Sequence, residues 1–470
     1  MTHAATPRPG RLRHRVAATF GLAIGAALVA PPIVAAHQLT GRFASPLPLG
    51  AYLAGAAIAV AVSFAVVFLR GGAPAPDRIE PSGGRTLPVP ALVRGLLAAA
   101  GLVGWAWIVV QAAVLGGTTE GDVASLFLWV YGWVGLALVA ALIGPAWRWL
   151  DPFTSLHRIL AAALRRLGVE GAAPAAYPRR LGRGPAVLGF AVFVWLELAA
   201  PATRGGRALG LVLVGYTVLT LAAMAQFGRE TWRANGEVFS VWFATIGRLA
   251  PLALVTDRPH RVRVRRLAAG LLHDGGGVAT LILVAFATAA ILFDGLSQTQ
   301  AFYDAFGVPT LLEKTLLLAG WLAVIAGLGV LVGRVIGVPA LVAGLIPIAV
   351  GYLIAHYLTY VLFDGQRIVL AVTDPLGLGW NLLGIGEFEP NTAWLPGAAV
   401  WTVQLLAVVG GHVLGAWAGH AVAVRAALDR AGLLSVVAAR EVRLRQVPLA
   451  LLMVGLTTIT LWSLGQSIVK

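Results

Sequence analysis

There is no cysteine among the 470 residues and there are only three methionines. No disulfide, thiolate nucleophile, iron-sulfur cluster or Cys-ligated zinc can form, so any metal would have to be held by His, carboxylate or Tyr. Charge is scarce as well: Asp, Glu, Lys and Arg make up 12% of the chain against 59% hydrophobic residues, and the mean hydropathy is +0.84. That balance excludes an ordinary soluble domain, in which about a quarter of residues are charged. The alternating apolar and polar pattern of an outer-membrane barrel is also missing. What is present is a series of apolar runs longer than the ~18 residues that cross a bilayer as helix. The expected fold is all-α, a polytopic integral membrane helical bundle of 10 to 11 transmembrane helices.

Acidic residues number 20 against 35 Lys and Arg, a net charge of +15. In a soluble chain such an excess would suggest nucleic acid; here its placement along the chain is a topology signal, and no nucleic-acid partner is expected. Arg8, Arg11, Arg13 and Arg15 precede an apolar run from Val16 to Ala30, followed by "PPIVAAHQL". The run is short for a span, and Val34 and Ala36 stand where a signal peptidase reads, so residues 1–36 read either as a signal peptide or as a first transmembrane helix. Cleavage would leave His37 first; in the uncleaved form it sits at the outer interface.

Ten further spans are expected near 47–69, 89–114, 125–147, 185–202, 208–227, 277–294, 313–333, 339–362, 395–422 and 447–466, so that 37–470 forms one polytopic domain. With the N-terminus inside, the inward loops hold nearly all the arginine, while Arg42, Arg204, Arg207, Lys314, Arg367 and Lys470 fall elsewhere. This asymmetry is the positive-inside rule, and it suits the inner (cytoplasmic) membrane of a bacterium. The outward segments instead collect Glu120, Asp122, Asp294, Asp304, Glu313, Asp364, Asp374, Glu387 and Glu389. Residues 71–88, rich in Pro and Gly, read as a cytoplasmic linker without a fold of its own. Two inner segments, near 150–166 and 236–253, read as amphipathic helices lying in the interface against anionic headgroups. "LDPFTSLHRIL" (150–160) and "TDPLGLGWNLL" (373–383) are separated by five spans. They are an echo that a five-plus-five inverted repeat of the transporter type would produce. Chance use of Asp-Pro at helix ends produces it too.

Ionisable side chains within spans are site candidates by default, because hydrocarbon penalises them unless they face a cavity or one another. They are Glu197, Asp294, His356 with Tyr352, Tyr360 and Asp364, and His412 and His420. On the expected topology Glu197, Asp294, His356 and Asp364 all fall in the outer leaflet or at its edge, on the side where His37 emerges. Tyr352, His356, Thr359 and Tyr360 stand at i, i+4, i+7 and i+8, one stripe of a helix, and read as the lining of a hydrated pocket open to the outer face. The alternative gives Tyr360 to an aromatic belt and His356 to a hydrogen bond with a neighbouring helix. Neutral imidazole with carboxylate oxygens suits Zn or Cu, and His37 as a free N-terminal residue would offer two nitrogens, making His37, His356 and Asp364 a candidate metal set. No HExxH or comparable motif accompanies it. "GLGWNLLG" (377–384) lacks the strand, Lys and Ser/Thr of a phosphate loop and reads as a partly re-entrant lid with Trp380 at headgroup level. His412 and His420, among Gly410, Gly411, Gly415 and Gly419, read as a close helix-packing face, with His412 alternatively a cavity floor or a proton relay step.

The segments "YPRRLGRGPAVLGFAVFVWLELAAP" (177–201), "FGRETWRANGEVFSVWFATIGRLAPL" (227–252) and "AHYLTYVLFDGQ" to "TDPLGLGWNLLG" (355–384) resemble a family of bacterial multi-spanning membrane proteins labelled fenitrothion hydrolase. The likeness covers most of the chain after the linker. It implies a membrane-bound hydrolase of apolar organophosphate triesters, with a second membrane subunit as a partner. Such chemistry is compatible with a metal-activated water. His356, Asp364, Asp294 and a freed His37 are the available ligands, and Tyr360 would donate to the phosphoryl oxygen as charge builds there. The competing classes are a transporter or metal-handling permease and a non-catalytic membrane subunit. An enzyme requires ligands converging within metal-bonding reach. A carrier requires Glu197, His356 and His412 strung along a path through the bilayer.

Overall fold

The computed structural model describes residues 49–70, 84–116, 123–169, 173–200, 204–273, 276–386, 388–431 and 446–466. The expected leader or first helix at 1–36, His37, most of the linker, Glu120, Asp122, Glu387 and Lys470 lie outside the described residues. In chain order the longer helices are α1 (Leu49–Arg70), α2 (Ala91–Leu115), α3 (Val123–Leu142), α4 (Pro152–Arg166), α5 (Gly184–Leu198), α6 (Gly206–Phe227) and α7 (Val238–Ile246). They are followed by α8 (Val278–Ser297), α9 (Leu311–Ile336), α10 (Val338–Leu362), α11 (Gly397–Ala431) and α12 (Val447–Gly465). Among the described residues seven of them, α2, α3, α6, α8, α9, α10 and α11, are long and apolar enough to cross a bilayer. Shorter apolar helices, Leu53–Val62, Gly184–Leu198 and Val447–Ser463, occupy the three other places where spans are expected. The chain is an integral membrane protein built almost wholly of helix.

Two helices form the centre. In α10 83% of the apolar stretch is buried and in α8 78%, whereas α2 has 17% and α9 33%. The outer helices therefore offer most of their surface to lipid, and α8 and α10 see mainly protein. Against α10 lies α11, at a distance only glycine permits. A Cβ at Gly415 would collide with the Gly344 carbonyl, one at Gly351 with the Ala407 carbonyl, and one at Gly411 would stand 2.7 Å from the Pro347 carbonyl. The glycine-rich face expected around His412 and His420 is therefore real, except that Gly410 faces open space. Helix α9 starts with a reciprocal cap, Thr310 accepting from the Glu313 N–H and Glu313 accepting from the Thr310 N–H. It ends at Gly337, whose φ of +95° no L side chain adopts comfortably.

The arginine-rich loops meet at one end of the bundle. Arg248 donates to the carbonyls of Gly270, Leu271 and His273, and Arg425, in the last third of α11, donates to the Leu272 carbonyl. Arg148 pairs with Glu230 at 2.8 Å. A small antiparallel sheet sits here, ordered β1 (Thr86–Pro88), β3 (Arg258–Val264), β2 (Leu252–Val255), with Thr86 opposite Arg263 and Leu252 opposite Val264. The bundle is helical as expected, with this short sheet added at one end, where the last residues of the 71–88 segment pair as a strand and Thr86 is held by the Arg261 guanidinium.

Helix α4 leaves apolar side chains uncovered: Asp151 caps it, accepting from the Phe153 and Thr154 N–H groups, while Ile159, Leu160 and Leu164 point outward. Helix α7 does not. Val238 to Phe243, Thr245 and Ile246 are buried, so the 236–253 segment is core rather than a surface anchor. The cause is Glu237, whose carboxyl caps α7 through Phe239 N–H and Ser240 N–H and accepts from Tyr216 at 2.6 Å and Trp147 at 3.4 Å. These bonds draw the segment inward against α6. Tyr216→Phe removes one buried donor from that carboxyl and is expected to destabilise the fold by about 1–3 kcal/mol, measured by unfolding in mixed micelles.

Candidate functional site

The C-terminal halves of α5, α8 and α10 each bring one ionisable side chain to a common point. Asp294, one turn before the end of α8, meets His356 of α10, with Oδ2 and Nε2 2.8 Å apart. Beside His356, Tyr357 sends its hydroxyl between two carboxyls, 3.3 Å from Asp294 Oδ2 and 3.4 Å from Glu197 Oε1 at the end of α5. Gln298 Nε2 donates to Asp294 Oδ1 at 2.8 Å. All three ionisable groups are buried. The imidazole and the Tyr357 ring meet edge to face with centroids 4.6 Å apart, which fixes the orientation of both.

Cations border the cluster. Arg204, just before α6, donates through Nε to the Glu197 carbonyl, and Lys314, one turn into α9, acts electrostatically on both Arg204 and Asp294. Tyr360 lies one turn beyond Tyr357, ring centroids 6.1 Å apart, within the electrostatic influence of Asp364, Glu197, Arg204 and Asp294.

One turn back along α10 from His356, the Tyr352 hydroxyl meets His412 Nε2 of α11 at 3.3 Å, and His412 Nδ1 faces the Val408 carbonyl at 2.8 Å. Eight residues further along α11, about 12 Å at helical rise, His420 Nδ1 meets Gln446 Oε1 at 2.8 Å. Buried polar groups thus stand at three levels along the bundle.

The sequence-derived set is in part assembled and in part dispersed. Glu197, Asp294 and His356 come together with Tyr360 beside them, and Tyr352 pairs with His412. Asp364 does not join His356: its carboxylate faces Arg367 at 3.6 Å, and among the described residues no three His, Asp or Glu side chains gather closely enough to hold a metal ion. Two turns of helix separate 356 from 364, and the α-helix gives way after Leu362 to a 3-10 turn, which carries Asp364 away from the stripe. The stripe itself is packed: Tyr352, His356, Thr359 and Tyr360 are all buried. Trp380 is 44% exposed, in a loop tied by Asp374 to the Leu378 and Gly379 N–H groups and by the Trp107 indole to the Pro375 carbonyl. That loop docks on α2, which contributes none of the cluster residues. The two Asp-Pro echoes also diverge, Asp151 opening a helix and Asp374 a glycine turn.

Tyr357, Gln298, Arg204 and Lys314 were not expected. A signal for Tyr357 exists, since it stands three residues before Tyr360 and adjoins His356. Outside the spans, burial pushes the Asp364 carboxyl above the usual carboxylate range, against the pull of Arg367, and its Oδ2 has no hydrogen-bond partner. An acid whose proton is held more tightly in the folded state contributes stability in acid and loses it as pH rises through the folded-state value. Asp364→Asn is therefore expected to raise the thermal midpoint near neutral pH and leave it unchanged in acid.

Compared with family models, curated proteins and solved structures, the chain matches none.

Proposed function

We propose that the chain is a proton-translocating membrane protein in which Glu197, Tyr357, Asp294 and His356 form the outer relay and Tyr352 with His412 the next step inward. The observation that carries this reading is the single hydroxyl of Tyr357 set between two carboxyls. One O–H donates to one oxygen at a time, so the other contact is a hydrogen bond only when that carboxyl brings a proton of its own. The four groups are then satisfied by sharing protons, and moving one proton re-pairs its neighbours without breaking the chain. The spacing in depth supports it as well: acids and imidazoles are strung from the outer end of α5 to the inner half of α11, as a carrier requires.

Infrared titration of the purified protein tests this directly. The carbonyl band of a protonated carboxyl group is expected, altered by Glu197→Gln and shifted by Tyr357→Phe. Absence of the band at every pH, or its indifference to both changes, removes the reading.

A second reading has one observation in its favour. Asp294 orients His356 in the manner of an acid that positions a general base. An apolar phosphotriester arriving through lipid would meet that imidazole, in keeping with the resemblance to the organophosphate hydrolases. In the metal-dependent version His356 and Asp294 supply two donors, and a third must come from outside the described residues, where His37 lies. Release of a coloured phenol from a phosphotriester by purified protein is the assay. Here Tyr357→Phe and Glu197→Gln should leave turnover nearly intact, whereas both stop proton relay.

A further inference from the structure

At the opposite end of the bundle, among the inner loops, a pocket of about 370 Å³ opens between the turn before α4, the end of α7 and strand β2. Four arginines line it, Arg148, Arg233, Arg248 and Arg265, against one carboxylate, Glu230. The rest of its wall is largely apolar, with Trp147, Phe243 and Leu252.

We propose that this pocket holds the phosphate headgroup of an anionic phospholipid from the inner leaflet, with the start of its acyl chains against the apolar wall. The size is that of a site for a small ligand rather than for a lone ion. Lining charge favours an anion. Arg148 and Arg233 both reach Glu230, at 2.8 and 3.4 Å, and Arg229 approaches the same carboxylate at 3.4 Å. Arg233 also pairs with the buried Asp151 at 2.8 Å, so three guanidinium groups meet two carboxylates and one positive charge is left over. Arg248 and Arg265 are fixed by backbone carbonyls, Arg265 by those of Ala250, Gly247 and Arg248, which orients both guanidinium groups at the pocket wall.

Location decides between a soluble anion and a lipid. The arginines belong to inner loops by the positive-inside rule, and Arg148 stands three residues before Asp151, the cap of α4, whose Ile159, Leu160 and Leu164 face outward as an interfacial helix requires. The pocket is therefore at headgroup depth, where arginine clusters between helices select anionic lipid.

The test uses the full chain in a neutral detergent, titrated with phosphatidylglycerol, phosphatidylcholine or inorganic phosphate, and followed by native mass spectrometry and thermal midpoint. Phosphatidylglycerol is expected to remain bound and to raise the midpoint, with little effect from phosphatidylcholine or from inorganic phosphate at equal concentration. Arg148→Gln is expected to weaken phosphatidylglycerol about fivefold, the loss typical of one cation at a membrane surface. Because that change also breaks the Glu230 pair, Ala244→Phe serves as a second variant. It fills the pocket from an exposed wall position and leaves every arginine in place. Both variants binding phosphatidylglycerol as tightly as the native chain overturns the proposal, as does equal protection by phosphatidylcholine or by inorganic phosphate.

Discussion

Vesicles reconstituted with Asp294→Asn should admit protons no faster than empty vesicles when a potential is imposed and an internal pH dye is read. Asp294 is the node of the cluster, with His356 and Tyr357 at Oδ2 and Gln298 at Oδ1. Asparagine has nearly the same volume and keeps a hydrogen bond to each neighbour, so the fold should survive. What it cannot do is take up a proton and release it. A group that transfers protons in the rate-limiting step contributes about 10²–10⁴-fold, and a loss of that size puts the variant at the background leak. His356→Gln should match it. Tyr357→Phe and Glu197→Gln test the outer links, and both should lie within about tenfold of the Asp294 variant if protons enter through them. Asp304→Asn, on the surface and bonded only to Gln300 among the contacts described, is the control and should conduct like the native protein. Native conduction retained in Asp294→Asn would remove the relay. Conduction lost there but intact in Tyr357→Phe and Glu197→Gln would confine the chemistry to the Asp294 and His356 pair, the arrangement a hydrolase would use.

How far this centre can be read from the sequence depends on which helix carries each residue. Asp294 and His356 are conspicuous because ionisable groups in apolar runs are rare, and each was a candidate from sequence. Tyr357 was not. The argument that selects Tyr352, His356, Thr359 and Tyr360 assumes a helix with one polar stripe and one lipid face, and α10 has no lipid face over most of its length. In a helix buried all round, every direction is a packing direction and periodicity loses its power to choose. Tyr357, about 100° around from His356, then makes the bridging contacts. Asp364 stands apart for a different reason: it lies just past the end of α10, in a 3-10 turn where its carboxylate faces Arg367.

The same limits explain the inner side. "RPHRVRV" alternates charged and apolar residues at 261–264, a strand pattern, and Val262 is indeed the buried member of β3. Arginine there was read for topology, and charge content concealed periodicity. For α7, amphipathic character suggested a helix at a surface. The segment carries its polar groups inward instead, because Glu237 finds Tyr216 and Trp147 as partners. Amphipathicity states that two faces differ; it does not say which one meets lipid.

Gly415→Leu is expected to leave no folded protein, judged by the absence of a monodisperse peak after extraction in mild detergent. The relay requires α10 and α11 at close range, since Tyr352 on one reaches His412 on the other. That range is set by backbone against backbone: the space a Cβ at 415 would need is occupied by the Gly344 carbonyl, and the Ile348 side chain is 3.3 Å away. Overpacking a core with flexible side chains costs about 1–3 kcal/mol. Here the obstacle is a carbonyl in a helix, which can move only if the whole helix moves, so the cost should exceed that range. Gly415→Ala is the graded version, expected to extract in reduced yield with a lowered thermal midpoint and to stretch the Tyr352 to His412 contact. Gly410→Ala is the matched control, because nothing lies within 4 Å of a Cβ there, and it should be indistinguishable from the native chain. Lipid-embedded helices gain little from hydrophobic association, so small residues that let backbones touch carry much of the packing energy. If Gly415→Ala and Gly410→Ala behave alike, the close approach of α10 and α11 is not what holds the centre of the bundle together.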